Sequence, residues 1–162
     1  MVVNYILLQY IMNALHVPVR YIPRNLTQKD RKKQTAMLRK SRRLYKQHKY
    51  FTRKKVASFK SKPSGHIAKA TALYKVDKIA PSAELAKATG CSVNALTKIV
   101  KKGEGAYYSS GSRPNQTPQS WGYARLASSI TGGKAAAVDY KILEEGCGKN
   151  SRALRMARRV KR

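Results

Sequence analysis

Residues that could act as nucleophiles, bases or metal ligands are few in this sequence and widely spaced. Nucleophilic catalysis needs a base and an orienting acid beside the nucleophile, yet His66 and Cys91 are 25 residues apart and Cys147 stands between two glycines. Three histidines and two cysteines also give no zinc-ligand spacing. The sequence therefore predicts a protein that is not an enzyme and has no catalytic residues, metal or cofactor. Because no secretory signal is recognisable, we expect free, buried thiols.

Three carboxylates near the C-terminus are the remaining candidates for acid–base chemistry. Asp139, Glu144 and Glu145 could in principle act as a pair of general acid and base. All three fall on one predicted surface helix. We therefore expect them to balance Lys134 and Lys141 instead of reacting.

A different chemistry, the reading of DNA, is indicated by the segment from Glu84 to Lys102. Ser82 and Ser92 are typical N-caps and Gly90 is a typical helix stop, so we predict helices over 83–89 and 93–102. This pattern resembles the helix-turn-helix of bacterial repressors, whose second helix reads base edges in the major groove. A merely structural hairpin has the same pattern, and both readings stay open. The residues that would face DNA are Asn94, Thr97, Lys98 and Lys101.

Positive charge dominates the composition. The chain has 35 Lys and Arg against 7 Asp and Glu, a net charge of +28. Residues 20–62 hold 17 basic side chains and one acid, Asp30, and residues 149–162 add seven cations and no acid. So much charge destabilises a compact isolated chain, so we expect an acidic partner: nucleic acid, an anionic membrane or an acidic protein face. The predicted contact residues are Arg31, Lys32, Lys33, Arg39, Lys40, Arg42, Arg43, Arg53, Lys54, Lys55, Arg155, Arg158 and Arg159. Among them lie Tyr45, Tyr50 and Phe51, which suit occasional stacking on bases.

The N-terminal segment is the only long stretch without charge. Residues 1–19 carry no charged side chain and have an amphipathic helical pattern, which predicts a docking helix. Its predicted contact residues are Ile6, Leu7, Leu8 and Ile11. Polar residues interrupt the stretch, so a membrane-spanning or membrane-surface helix is the less favoured alternative.

The remaining elements predict a mainly α fold: a small helical module flanked by a long basic helix and a basic tail. Residues 20–65 should form a basic helix from Gln28 to about His48, after a capping-box variant at Thr27 and Asp30, and then a partly extended connector. Residues 66–147 should form the compact module. It would contain the helical hairpin ending at Gly103, an ordered Gly/Ser/Asn loop, a helix capped by Thr117, and a final helix over 134–145. Residues 148–162 should form the tail.

The segments GAYYSSGSRPNQTPQSWGYARLAS and TGGKAAAVDY carry a family resemblance. From Tyr21 through Cys147 the chain resembles an uncharacterised domain family of large nucleocytoplasmic DNA viruses that infect algae and amoebae. The resemblance implies a virion structural protein, a minor capsid component that bridges major capsid proteins on the inner face of a large icosahedral shell. Its partners would be major and other minor capsid proteins, with viral DNA or an anionic internal membrane nearby. The alternative is a DNA-binding or DNA-condensing protein that uses the helix-turn-helix and the basic arms.

Overall fold

The structure is a computed structural model that describes residue 6 and residues 16–161. Within those residues the fold is mainly helical, as predicted, with eight α-helices and no β-strand. Most of the predicted docking helix, including Leu7, Leu8 and Ile11, lies outside the described residues. Ile6 is helical and exposed. No helix in the described part of the chain is both long and apolar enough to cross a bilayer.

The chain divides into two compact units. The first unit comprises Met1–Ser61 and Ala106–Pro118, and the second unit comprises Lys62–Gly105 and Gln119–Arg162. These boundaries differ from the predicted ones, because the Gly/Ser/Asn loop, residues 110–117, belongs to the same unit as the basic helix. A 3-10 turn, Val19–Tyr21, precedes the helices α1 (Gln28–Tyr45), α2 (Gly65–Tyr74), α3 (Ala83–Thr89), α4 (Val93–Ser109), α5 (Pro118–Ile130), α6 (Lys134–Val138), α7 (Tyr140–Gly146) and α8 (Arg152–Val160).

Helix α1 begins where the sequence predicts. The Thr27 hydroxyl accepts a hydrogen bond from the Asp30 N–H at 3.2 Å. No capping box forms, because the Asp30 carboxylate instead accepts from the N–H and hydroxyl of Ser58 at 2.7 and 2.6 Å. The Ser58 hydroxyl in turn accepts from the Thr27 N–H at 3.1 Å. The connector is thereby tied to the first turn of α1.

The connector has no helix or strand, yet it is ordered by the Gly/Ser/Asn loop. Asn115 accepts from the Val56 N–H at 2.8 Å and donates to the carbonyls of Val56 and Phe59 at 3.1 and 2.8 Å. One side-chain amide therefore takes the place of a neighbouring strand. The small apolar core of the first unit then closes around Leu26, Met37 and Val56, with Phe51 and Phe59 against it.

The helical hairpin of the second unit is confirmed at its caps. Ser82 accepts from the Leu85 N–H and Ser92 from the Ala95 N–H, each at 3.1 Å. Gly90 ends α3 with a left-handed φ of 74°, a conformation that glycine adopts without steric cost.

Helix α4 does not stop at Gly103 as predicted. A Cβ on Gly103 would lie 2.6 Å from the Cα of Gly122, and a Cβ on Gly122 would lie 2.7 Å from the Val100 carbonyl oxygen. These glycines therefore allow the backbones of α4 and α5 to approach closely within the second unit. Close packing, and not helix termination, accounts for Gly103.

The C-terminal part of the chain contains more helices than expected. The predicted helix over 134–145 is interrupted at Asp139, so α6 and α7 are separate. The predicted tail contains α8, whose apolar residues Ala153, Leu154 and Ala157 are buried in the core of the second unit. Apolar residues at positions 153, 154, 157 and 160, with arginines between them, have helical spacing and were the signal for this helix.

The expectation of free thiols is wrong. Cys91 and Cys147 form a disulfide across a sequence separation of 56 residues. The flanking backbones pair as well: the Ser92 N–H donates to the Gly146 carbonyl at 2.7 Å, and the Gly148 N–H donates to the Gly90 carbonyl at 2.9 Å. The disulfide thus links the turn before α4 to the end of α7.

Candidate functional site

Six basic side chains lie on one exposed side of α1, and we call them the cationic face. At 3.6 residues per turn they fall within a sector of about 120° and extend about 21 Å along the helix axis. The opposite side of α1, including Gln34, Leu38 and Ser41, is buried. The cationic face consists of Lys29, Lys32, Lys33, Arg39, Lys40 and Arg43.

The first unit has too few carboxylates to balance this face, and its one carboxylate, Asp30, interacts with the charges of Lys33 and Lys29 alone among the six. The unit has seventeen Lys and Arg side chains and one acidic side chain, Asp30. Hydrogen bonds from the side chain and backbone of Ser58 lower the pKa of the Asp30 carboxyl from its ordinary value. Asp30 is therefore ionised and bonded internally. Among the described residues, no member of the cationic face forms an ion pair, since the pairs observed all lie in the second unit.

Seven of the ten predicted contact residues in the first unit are exposed: Lys32, Lys33, Arg39, Lys40, Arg43, Lys54 and Lys55. Two of these also make internal contacts. Lys33 donates to the Lys55 carbonyl at 2.9 Å, and the Lys40 ammonium lies 4.4 Å from the Phe51 ring centroid. Arg31 and Arg42 are half-buried, and Arg31 donates to two backbone carbonyls near the start of the unit. The exposed set is therefore narrower than the predicted one.

The prediction that Arg53 contacts a partner is wrong. It is only 7% exposed, and its guanidinium donates to the Ser41 and Ser112 hydroxyls at 2.8 Å and to the Tyr107 carbonyl at 2.9 Å. Burial lowers the pKa of Arg53, while the neighbouring tyrosines oppose that change. Because Tyr107 lies in the last turn of α4, Arg53 acts as a C-terminal cap for its unpaired carbonyl. Arg53 therefore organises the first unit and is not available to a partner.

A second set of exposed cations lies on α8. The predicted contact residues Arg155, Arg158 and Arg159 are all exposed, and Arg158 donates to the Lys149 carbonyl at 3.0 Å. Arg152 is also exposed and donates to the Leu73 carbonyl at 3.3 Å. These four side chains are a second cationic surface, on the second unit.

The predicted DNA-reading residues share one side of α4, but their surroundings are less favourable to groove insertion. Asn94, Lys98 and Lys101 are exposed, whereas Thr97 is half-buried and donates to the Val93 carbonyl at 2.8 Å. Asn94 and Lys98 line a depression together with Glu145. The end of α7 also abuts the first turn of α4, since a Cβ on Gly146 would lie 2.3 Å from the Ala95 Cβ. In repressors this first turn enters the groove.

Of the carboxylates considered for catalysis, Asp139 is buried, whereas Glu144 and Glu145 are exposed on α7. The Asp139 carboxylate accepts from Nε and Nη2 of Arg125 at 2.9 and 2.7 Å and from the Ser129 hydroxyl at 2.7 Å, and the Lys102 ammonium lies 3.3 Å away. Burial raises the pKa of the Asp139 carboxyl, but these hydrogen bonds and charges outweigh burial and hold the pKa below its ordinary value. Asp139 therefore pairs with Arg125 and Lys102, and not with the predicted Lys134 or Lys141, whereas Glu145 does lie 3.9 Å from Lys141.

The described residues contain no group of three or more His, Cys, Asp or Glu that could hold a metal ion. Fold and surface together define a small helical protein whose most distinctive exposed features are its two sets of basic side chains. Residues 18–145 match the sequence model of a family of unknown function (DUF5824), so the chain belongs to this family. The matched region begins just before the 3-10 turn and ends one residue before the end of α7, so it does not include α8. No curated protein and no solved structure matches the chain.

Proposed function

We propose that this protein is a non-enzymatic structural protein that attaches to an acidic macromolecular surface through the cationic face of α1. In this proposal it is a minor capsid component that bridges major capsid proteins on the inner face of a large viral shell. The observation that carries the proposal is the charge balance of the first unit, whose one carboxylate, Asp30, is bonded internally to Ser58.

The charges of the cationic face contribute more to binding a partner than to the stability of the folded chain. A single exposed ion pair contributes only about 0–1 kcal/mol, so no one residue of the cationic face would dominate binding. A row of about 21 Å on a rigid helix acts collectively, because the fixed backbone limits the ordering cost and the summed potential steers an acidic partner. Binding should therefore be strong at low salt and weaken as the charges are screened.

The second cationic surface supports a bridging role. It lies on α8 in the second unit, whereas the cationic face lies on α1 in the first unit. A protein that joins two neighbours needs two attachment surfaces. Two surfaces on one chain also raise the overall affinity, because the second contact forms within the complex.

The direct experiment asks whether the protein is a shell component. Particles of the virus that encodes the chain would be separated on a gradient into genome-containing and genome-free shells, and the chain would be quantified in each. The proposal predicts the same amount per shell in both fractions. Absence from the genome-free shells would refute the capsid role.

A DNA-binding role is the second candidate. The observation in its favour is that Asn94, Lys98 and Lys101 lie exposed on one side of α4, after the Gly90 turn. If this role holds, alanine at these three positions should abolish discrimination between duplex sequences, while nonspecific affinity remains salt-dependent. Equal binding of all sequences by the unmodified protein would leave the hairpin with a structural role.

A further inference from the structure

Tyr50 is an exposed aromatic side chain in a fixed position. It is 69% exposed and follows the turn that ends α1. In that turn His48 has a left-handed φ of 57°, and the Lys49 N–H donates to the Leu44 carbonyl at 2.9 Å. The backbone before Tyr50 is therefore held by hydrogen bonds and does not simply trail from the helix.

The Tyr50 ring is supported by other aromatic rings. Its centroid lies 5.1 Å from that of Tyr108 and 6.2 Å from that of Tyr45. Tyr108 in turn packs edge-on against Tyr107, at 5.2 Å, and Tyr107 is fully buried. A continuous set of rings thus runs from the interior of the first unit to Tyr50 at the surface. Support of this kind reduces the ordering cost when a planar ligand stacks on Tyr50.

The surroundings of Tyr50 are basic. The four residues that precede it, Lys46, Gln47, His48 and Lys49, are all exposed. Asp30, the one carboxylate of the first unit, is bonded to Ser58. An anion near Tyr50 would therefore meet ammonium groups and no competing carboxylate of this unit.

We propose that Tyr50, Lys46 and Lys49 form a binding site for single-stranded nucleic acid. An unpaired base stacks on the exposed ring of Tyr50, and the two ammonium groups contact the neighbouring phosphates. Aromatic rings interleaved with cations are the usual means by which proteins bind single strands without regard to sequence. Duplex bases are stacked on one another, and acidic protein faces offer no extended π surface, so neither partner needs Tyr50. The proposal goes beyond attachment by charge, which requires the cationic face alone.

The structure also selects Tyr50 from the aromatic residues of this region. Tyr45 and Phe51 are half-buried, and Phe51 packs against the core of the first unit. Neither is as exposed as Tyr50. A single stacking position is therefore expected here.

The test is fluorescence anisotropy with the full chain and a labelled oligothymidylate of about twelve nucleotides. Tyr50→Ala should weaken binding about tenfold, as expected for loss of one base–aromatic stack, without changing the salt dependence. Tyr50→Phe keeps the ring and should bind as the unmodified chain does. Lys46→Gln with Lys49→Gln should reduce the slope of log K against log salt by about 1.4, since each phosphate contact on a single strand contributes about 0.7.

Two comparisons decide the outcome. A duplex of equal length should lose no affinity in Tyr50→Ala, and polyglutamate should bind equally well to Tyr50→Ala and to the unmodified chain. Tyr50→Leu, which keeps bulk against Tyr108 but has no π face, should behave as Tyr50→Ala, and far-ultraviolet circular dichroism checks that both are folded. Unchanged oligothymidylate affinity in these folded variants, or an equal loss with the duplex, overturns the proposal. Attachment by the cationic face would be untouched by that result, because it is tested with other residues.

Discussion

Replacing Arg53 by methionine should destabilise the first unit, although it removes a positive charge from a strongly basic protein. The substitution deletes three charge-assisted hydrogen bonds. Ser41 still donates to the Tyr108 carbonyl at 3.2 Å and Ser112 to the Arg113 carbonyl at 2.8 Å, so neither hydroxyl is orphaned. The Tyr107 carbonyl loses its partner at the buried end of α4.

The size of the destabilisation follows from the lost hydrogen bonds and the one carbonyl left without a partner. A hydrogen bond to a charged group contributes about 1.5–3 kcal/mol, but burial of the guanidinium already costs part of that gain. One orphaned carbonyl and the lost bonds should lower the free energy of unfolding by about 3 kcal/mol. Arg53→Lys keeps the charge without the planar fork and should lose about half as much.

The assay is urea denaturation followed by near-ultraviolet circular dichroism of the tyrosines. Lys54→Met is the matched control, because Lys54 is the exposed neighbour and carries the same charge. It should change the free energy of unfolding by no more than about 0.5 kcal/mol. If Arg53→Met and Lys54→Met had the same effect, Arg53 would be a surface residue and the account of the first unit would be wrong.

Three further predictions concern the second unit. Cys91→Ala with Cys147→Ala should lower the free energy of unfolding by up to about 4 kcal/mol, the loop-closure value for 56 residues. In the same urea assay, a reductant should destabilise the unmodified chain but have no effect on this variant. The native pKa of Asp139 is lowered, so its contribution to the free energy of unfolding should be present above the ordinary value of 3.8 and lost as the pH falls through the native pKa. When stability is measured over an acid titration, Asp139→Asn should lose less stability than the unmodified chain. An equal loss of stability would contradict the buried pair. Gly122→Ala should cost about 1–3 kcal/mol by overpacking, whereas Gly65→Ala, where a Cβ meets nothing within 4 Å, should be neutral or slightly stabilising; equal melting temperatures would show that the helices do not cross closely.

Features set by neighbouring residues were predictable from the sequence. The starts of α1, α3, α4 and α5 follow from caps or from proline at the first position, and Gly90 ends α3 because only its own backbone conformation is at issue. The row of cations on α1 was equally accessible, since helical periodicity alone places it on one side. Local chemistry was sufficient in each case.

Features set by distant residues were missed. Gly103 resembles a helix stop until Gly122 is placed opposite it, and Cys91 gives no sign of pairing with a cysteine 56 positions away. Arg53 belongs to a basic run in which nothing local distinguishes the buried residue from the exposed ones. Tyr50 was grouped with two other aromatic residues for the same reason. Burial decides all four outcomes, and burial depends on the tertiary fold.

Sedimentation of the purified chain with genome-free shells over a series of salt concentrations tests the central claim most directly. The comparison is between Lys32→Glu, Arg39→Glu, Arg43→Glu on the cationic face and Lys78→Glu, Lys87→Glu, Lys134→Glu, which change the same charge at exposed positions of the second unit. Attachment through the cationic face predicts saturable binding that weakens with salt, falls sharply with the first triple substitution and is largely kept by the second. Equal binding by the two variants, or binding indifferent to salt, would contradict it.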